Sequence, residues 1–83
     1  MVRVLYFARL REALGRGSEE IVLQPAVADV GTLASQLAAR GGAWAALAVT
    51  GNVRVAVNQQ MADLSTPVGP GDEVAFFPPV TGG

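Results

Sequence analysis

The groups in this chain that could do chemistry are few. There are no cysteines and no histidines among the 83 residues, which excludes disulfides, thiolate nucleophiles, imidazole bases and the usual zinc spacings. All six basic residues are arginine, so no side-chain amine can accept an acyl group. Chemistry is left to seven Asp or Glu, the arginines, the backbone and the termini. The last of these stands out. Pro70, Gly71 and Asp72 are turn formers, and Glu73 to Phe77 reads as a short strand. Pro78 and Pro79 then stop the ladder by removing two backbone donors. Val80 and Thr81 lead to Gly82 and Gly83, which have no side chain to anchor in a core. The residues after Pro79 are expected to be a mobile thread that presents the terminal carboxylate to solvent. Such a carboxylate, with a reference pKa of about 3.5, is ionised at neutral pH and is a poor acyl donor until it is activated. The two glycines taken alone fit a frayed terminus equally well.

A strand must hold that tail, and a single small domain must hold the strand. Eighty-three residues lie near the lower limit at which one core sustains itself. The net charge of -1 argues against a nucleic-acid or anionic-membrane surface. Hydrophobic residues make up 51 % and the mean hydropathy is +0.37, yet the apolar runs fall far short of the roughly 20 residues of a membrane span. Surplus apolar surface is therefore expected to meet a protein partner. Met1 to Phe7 reads as a strand and not as a signal peptide, and a cytoplasmic location is expected.

The supporting elements follow from periodicity and punctuation. Val2 to Ala8 is rich in β-branched and aromatic residues and predicts a strand. Arg9 to Leu14 is helix-prone and ends at Gly15 and Gly17. Glu19 to Gln24 predicts a second strand closed by Pro25, giving a first hairpin. Asp29 is the expected N-cap of the main helix, with Val30, Leu33, Ala34, Leu37 and Ala38 on one apolar stripe before Arg40, Gly41 and Gly42. Ala43 to Ala48 is expected to add a helical turn, with Trp44 and Leu47 covering the core. Gly51 and Asn52 predict a turn, Val53 to Val57 a strand, Asn58 and Gln59 another turn, and Gln60 to Leu64 a short strand. The pattern predicts an α+β fold. A ferredoxin-like arrangement would need a second long helix near residues 59–72, where Pro67, Gly69, Pro70 and Gly71 forbid one.

Strand parity assigns the faces. Val2, Val4, Tyr6, Val53, Val55, Val57, Val74 and Phe76 form charge-free sets suited to lie under the helix. The reverse face carries Leu5, Phe7, Ala56, Ala75 and Phe77 beside Arg3, Arg54 and Glu73, the composition of an interface core with a polar rim. Loops of the chain itself are the other possible cover for those residues.

Asp72 to Gly83, Val4-Leu-Tyr-Phe-Ala-Arg-Leu-Arg-Glu-Ala-Leu-Gly15 and Ala56-Val-Asn-Gln59 together resemble the small subunits of molybdopterin synthase, which are ubiquitin-like sulfur carriers. The resemblance implies a β-grasp fold of about five strands in a mixed sheet on one main helix, a single domain spanning 1–83 with a flexible tail at 78–83. It implies that Gly83 is adenylated and converted to a thiocarboxylate that donates sulfur to a pterin precursor, building the dithiolene of molybdopterin. Pro78, Pro79, Val80, Thr81 and Gly82 would then thread the tail into a partner's channel, and Leu5, Phe7, Ala75 and Phe77 would form the docking surface. The implied partners are the large subunit, in a heterotetramer, an ATP-using activating enzyme similar to the ubiquitin-activating enzymes, and a sulfur donor protein. No cofactor is expected on the chain itself. A carrier for thiamine or cysteine synthesis, and a ubiquitin-like modifier or binding module, are the alternative readings.

Overall fold

In the computed structural model, residues 1–25, 27–48 and 53–78 are described. The strands are β1 (Val2–Tyr6), β2 (Ser18–Ile21), β3 (Arg54–Val57), β4 (Gln60–Ala62) and β5 (Glu73–Phe77). The helices are α1 (Ala8–Leu14) and α2 (Val30–Ala38), followed by a 3₁₀ helix at Gly42–Ala48. The strands form one mixed sheet in the order β2-β1-β5-β3-β4, with β1 and β5 parallel at its centre and the other pairs antiparallel. The predicted α+β class and the five-stranded sheet on one main helix are what the chain adopts. The predicted turn at Gly51 and Asn52 lies outside the described residues.

Alternation in the central strands places the core. Val2, Val4, Tyr6, Val55, Val57, Val74 and Phe76 are buried on the helix side, as parity predicts, and Val53 packs half-buried against them. From α2 come Val30, Leu33, Ala34 and Leu37; fully burying one such aliphatic side chain contributes about 1.5–3 kcal/mol. α2 starts where it does because Asp29 builds a capping box. Its Oδ1 accepts from the Thr32 N–H at 2.8 Å, and Thr32 Oγ1 accepts from the Asp29 N–H at 3.2 Å. The next free donors of the first turn, Val30 and Gly31, reach the carbonyls of Thr66 and Leu64 at 3.0 and 2.9 Å. The helix is thereby locked to the loop that follows β4.

Three strands, β1, β2 and β4, differ from the sequence reading by more than one residue, each for a local reason. β1 ends at Tyr6, because Ala8 adopts a left-handed φ of 53° and starts α1. β2 covers Ser18–Ile21 and not 19–24. Ile21 already faces Val2 at the beginning of β1, which leaves almost no partner strand beyond it, and Val22 is exposed. β4 stops at Ala62 since the Asp63 carboxylate gathers the Ser65 N–H at 2.9 Å and the Ser65 and Thr66 hydroxyls, making a turn.

One polar cluster ties the elements together. Tyr6 Oη donates to Glu19 Oε2 at 2.9 Å, and Arg40 grips both Glu19 oxygens at 2.9 and 3.0 Å. Arg16 adds a contact to Glu19 at 3.4 Å. The Arg40 guanidinium lies 4.5 Å from the Trp44 ring centre, and Trp44 meets Tyr6 edge to face at 5.4 Å. Trp44 is structural, as expected, with a cation on its face.

Candidate functional site

The tail is launched from the middle of the sheet. β5 is held between β1 and β3, with Val74, Ala75 and Phe76 paired on both sides, and its start is anchored by turn chemistry. Asp72 accepts from Asn58 Nδ2 at 3.1 Å and from the Gly69 N–H at 2.8 Å. These hydrogen bonds hold its carboxyl below the usual carboxylate range. Asn58 also accepts from the Glu73 N–H at 3.0 Å and donates its own N–H to the Glu73 carbonyl at 2.8 Å. At the far end the Phe7 N–H donates to the Phe76 carbonyl at 3.1 Å, and then Pro78, half-buried, ends the ladder. The remaining predicted tail residues, Pro79, Val80, Thr81, Gly82 and Gly83, lie outside the described residues.

The face of the sheet opposite α2 brings together the four predicted docking residues. Leu5 pairs with Ala75, Ala75 with Ala56, and Ala56 with Met61, so one apolar row crosses the sheet. Phe77 lies opposite Arg54 in the next row, beside Phe7 at the end of β1. Phe7 is 47 % exposed and Met61 66 %, while Leu5, Ala56, Ala75 and Phe77 are half-buried among their neighbours. No described loop covers Phe7 or Met61. Arg3 and Glu20, 3.9 Å apart, and Glu73 border the patch.

Met61 belongs to this row, yet the sequence reading left it out. Its position follows from a two-residue turn. Asn58 and Gln59 both have positive φ, 51° and 69°, as type I′ hairpins require, and the register they set places Gln60 opposite Val57 and Met61 opposite Ala56. Counting outward from that turn would have put Met61 on the open face.

Among the described residues no three His, Cys, Asp or Glu side chains converge as a metal site would require. Tyr6 is sequestered: burial and its hydrogen bond to Glu19 push the hydroxyl upward, so it stays protonated and serves as a donor.

A mixed sheet with parallel first and last strands at its centre, one covering helix and a last strand running into the C-terminal tail defines the ubiquitin-like β-grasp class. The chain belongs to the ThiS family, which its residues 4–83 match. It is 41 % identical over 83 residues to the molybdopterin synthase sulfur carrier subunit of Escherichia coli strain K12, covering 100 % of both chains. Among solved structures it is similar to a chain in the complex of subunits 1 and 2 of the molybdopterin-converting factor from Helicobacter pylori 26695. There the TM-score is 0.68 and the identity 25 %, over 99 % of this chain and 97 % of that one. It is also similar to the small archaeal modifier protein 1 from Methanosarcina acetivorans, with a TM-score of 0.75 and 25 % identity over 99 % of this chain and 95 % of that one.

Proposed function

We propose that this chain is the sulfur carrier subunit of a molybdopterin synthase and that the carboxyl of Gly83 is the group that carries the sulfur. The observation that carries this reading is the end-to-end likeness to a sulfur carrier subunit, on a fold whose central strand feeds the tail. The chemistry proceeds in balanced steps. A carboxylate oxygen of Gly83 attacks the α-phosphorus of ATP within an activating enzyme and expels pyrophosphate. Sulfide then attacks the acyl carbon and expels AMP; where the terminal sulfur of a donor protein's persulfide attacks instead, the acyl disulfide that forms is cleaved by a thiol, which forms a disulfide with the donor's own sulfur and releases the thiocarboxylate. The sulfur of the resulting thiocarboxylate attacks a carbon of the pterin precursor and displaces an oxygen substituent from it, and water later cleaves the thioester, returning the carboxylate and leaving the sulfur on the pterin. Sulfur is softer and more nucleophilic than oxygen, which is why the exchange is useful.

In this reading the chain supplies the reacting group and its delivery, while acid, base and substrate-binding groups belong to the large subunit. Pro78 to Gly83 can reach roughly 20 Å when extended, enough to enter a cleft from a docked sheet. The two prolines stiffen the start of the thread, and the glycines let its end pass a narrow channel. Leu5, Phe7, Ala75 and Phe77, with Met61 added, form the surface that docks on the large subunit. The site of action is the cytoplasm, and no cofactor is held by the chain itself.

The test is intact mass after incubation with ATP, the activating enzyme and sulfide. Replacement of one oxygen by sulfur adds about 16 Da, and the loaded chain then converts precursor when the large subunit is supplied. The likeness to a small archaeal modifier favours a second reading, in which Gly83 forms amide bonds with lysines of other proteins. Conjugates to added acceptor proteins, with no gain of sulfur, would replace the first reading by the second.

A further inference from the structure

We propose that Arg9, Arg11 and Arg54 form a cationic collar round the root of the tail, and that this collar docks on an acidic rim of the large subunit. The proposal rests on the carrier reading for the existence of that partner. All six arginines and all seven carboxylate side chains fall within the described residues, so their pairing can be followed throughout. Glu19 takes up Arg16 and Arg40, and Glu20 lies 3.9 Å from Arg3. Among the described residues no carboxylate lies within ion-pair distance of Arg9, Arg11 or Arg54.

The fold gathers these three at one end. Arg9 and Arg11 sit on α1, which follows directly on β1 and packs against β5. Arg54 is the cross-strand partner of Phe77, the last residue of β5. Arg9 and Arg11 line a shallow groove between α1 and the Gly15–Gly17 connection, in which Glu12 is the one carboxylate. Arg11 lies over Gly17, where an added Cβ would come within 3.1 Å of its Nε; the missing side chain makes room for the guanidinium. Of the remaining acids, Asp63 lines the same cavity as Arg54, but its carboxylate is taken up by Ser65 and Thr66. Asp29, Asp63 and Asp72 are engaged by backbone N–H groups and by hydroxyl or amide donors in caps and turns, and Glu73 opens β5 at its opposite end.

A chain of net charge -1 thus presents its unpaired positive charge where the tail leaves. Like charges held together repel in the free protein, and an acidic partner relieves that repulsion. Their position at the border of Phe7 and Phe77 is that of rim charges round an apolar interface centre, which set association rate more than lifetime. A nucleic acid is a poor fit. Three phosphate contacts would give a salt slope of only about 3, and the collar is flanked by Glu12 and an apolar sheet face.

The experiment is stopped-flow association of the full chain with the purified large subunit at low and at high salt. The variant carries Arg9→Gln, Arg11→Gln and Arg54→Gln, and its melt is checked against the parent. Association is expected to slow about tenfold at low salt and to converge with the parent at high salt, with dissociation little changed. Should the triple variant fold poorly, Arg9→Glu on the exposed side of α1 keeps the test, with a slowing at low salt again expected. Equal association rates at low salt overturn the collar. So does saturable binding of ATP by the isolated chain that is lost in the variant, since the arginines would then serve a nucleotide and not a protein rim. Phe77→Glu separates this proposal from the reading beneath it. If Phe77→Glu speeds dissociation while the collar variant associates normally, only the collar fails; if the parent does not bind the large subunit at all, the carrier reading fails with it.

Discussion

At the scale of single residues the two faces of the sheet make opposite demands. Val55 is buried under α2, whereas Phe77 is half-buried on the open face. Phe77→Glu is expected to leave the thermal melt nearly unchanged but to weaken binding to the large subunit by about 2–4 kcal/mol, the usual loss at an interface hot spot. Val55→Glu should do the reverse. It buries a carboxylate without a partner, which ordinarily unfolds a domain with about 5 kcal/mol of stability. Melts of the isolated variants alongside calorimetric titration check both, and equal melting losses would mean that Phe77 is core. The parity behind this contrast was legible because the strands alternate cleanly, with Val2, Val4 and Tyr6 buried and Arg3 exposed. Met61 was passed over although the turn at Asn58 and Gln59 was expected, because its face follows only from the two-residue register that the left-handed backbone of both residues sets.

At the scale of elements that same turn is a place where stability can be raised. Gln59 holds a φ of 69°, a conformation that costs a residue with a side chain about 1–2 kcal/mol relative to glycine. Gln59→Gly is expected to stabilise the chain by about 1 kcal/mol, part of the relief being offset by the freedom glycine has when unfolded. For a domain of this size the midpoint should rise by about 4–8 °C, and an unchanged or lower midpoint in a thermal scan would count against the turn assignment. The Glu19 cluster joins β1, β2, the turn after α2 and the 3₁₀ helix, and it titrates. Partial burial raises the Glu19 carboxyl, but the hydrogen bonds from Arg40 and Tyr6 outweigh this and its pKa is lowered overall. A carboxyl lowered on folding contributes stability that is present above its unfolded pKa, about 4.3 for Glu, and is lost as pH falls through the folded value. The parent should therefore melt above Glu19→Gln at neutral pH, and the gap should narrow below about pH 4.3; a gap that persists undiminished at pH 3 would show that charge is not what the cluster uses. α2 was legible from Asp29 and its stripe. The cluster was not, since Tyr6, Glu19, Arg40 and Trp44 meet only through the packing of four elements.

At the scale of the whole molecule, the sheet secures the strand that precedes the tail. Asp72, Asn58 and the ladders on both sides secure β5, a strand paired to two neighbours and not a sheet edge. The order of the strands is what sequence periodicity cannot supply, for it arises from the crossover that sets β5 beside β1 and from the β3 pairing that follows; the likeness to known carriers filled that gap. The buried core runs from Val2 to Phe76 among the described residues. Removing Gly83 should accordingly leave the melting midpoint and binding of the large subunit close to those of the parent. It should also abolish the gain of about 16 Da on incubation with ATP, activating enzyme and sulfide, because on the proposed chemistry the new terminus, Gly82, would fall one residue short of the adenylating centre. A misplacement of even about 1 Å can cost a hundredfold in rate, and one residue is more than three times that. A truncated chain that folds, binds and still gains sulfur at the parent's rate would sink the assignment of Gly83, whereas one that no longer folds would mean that the end of the chain belongs to the core.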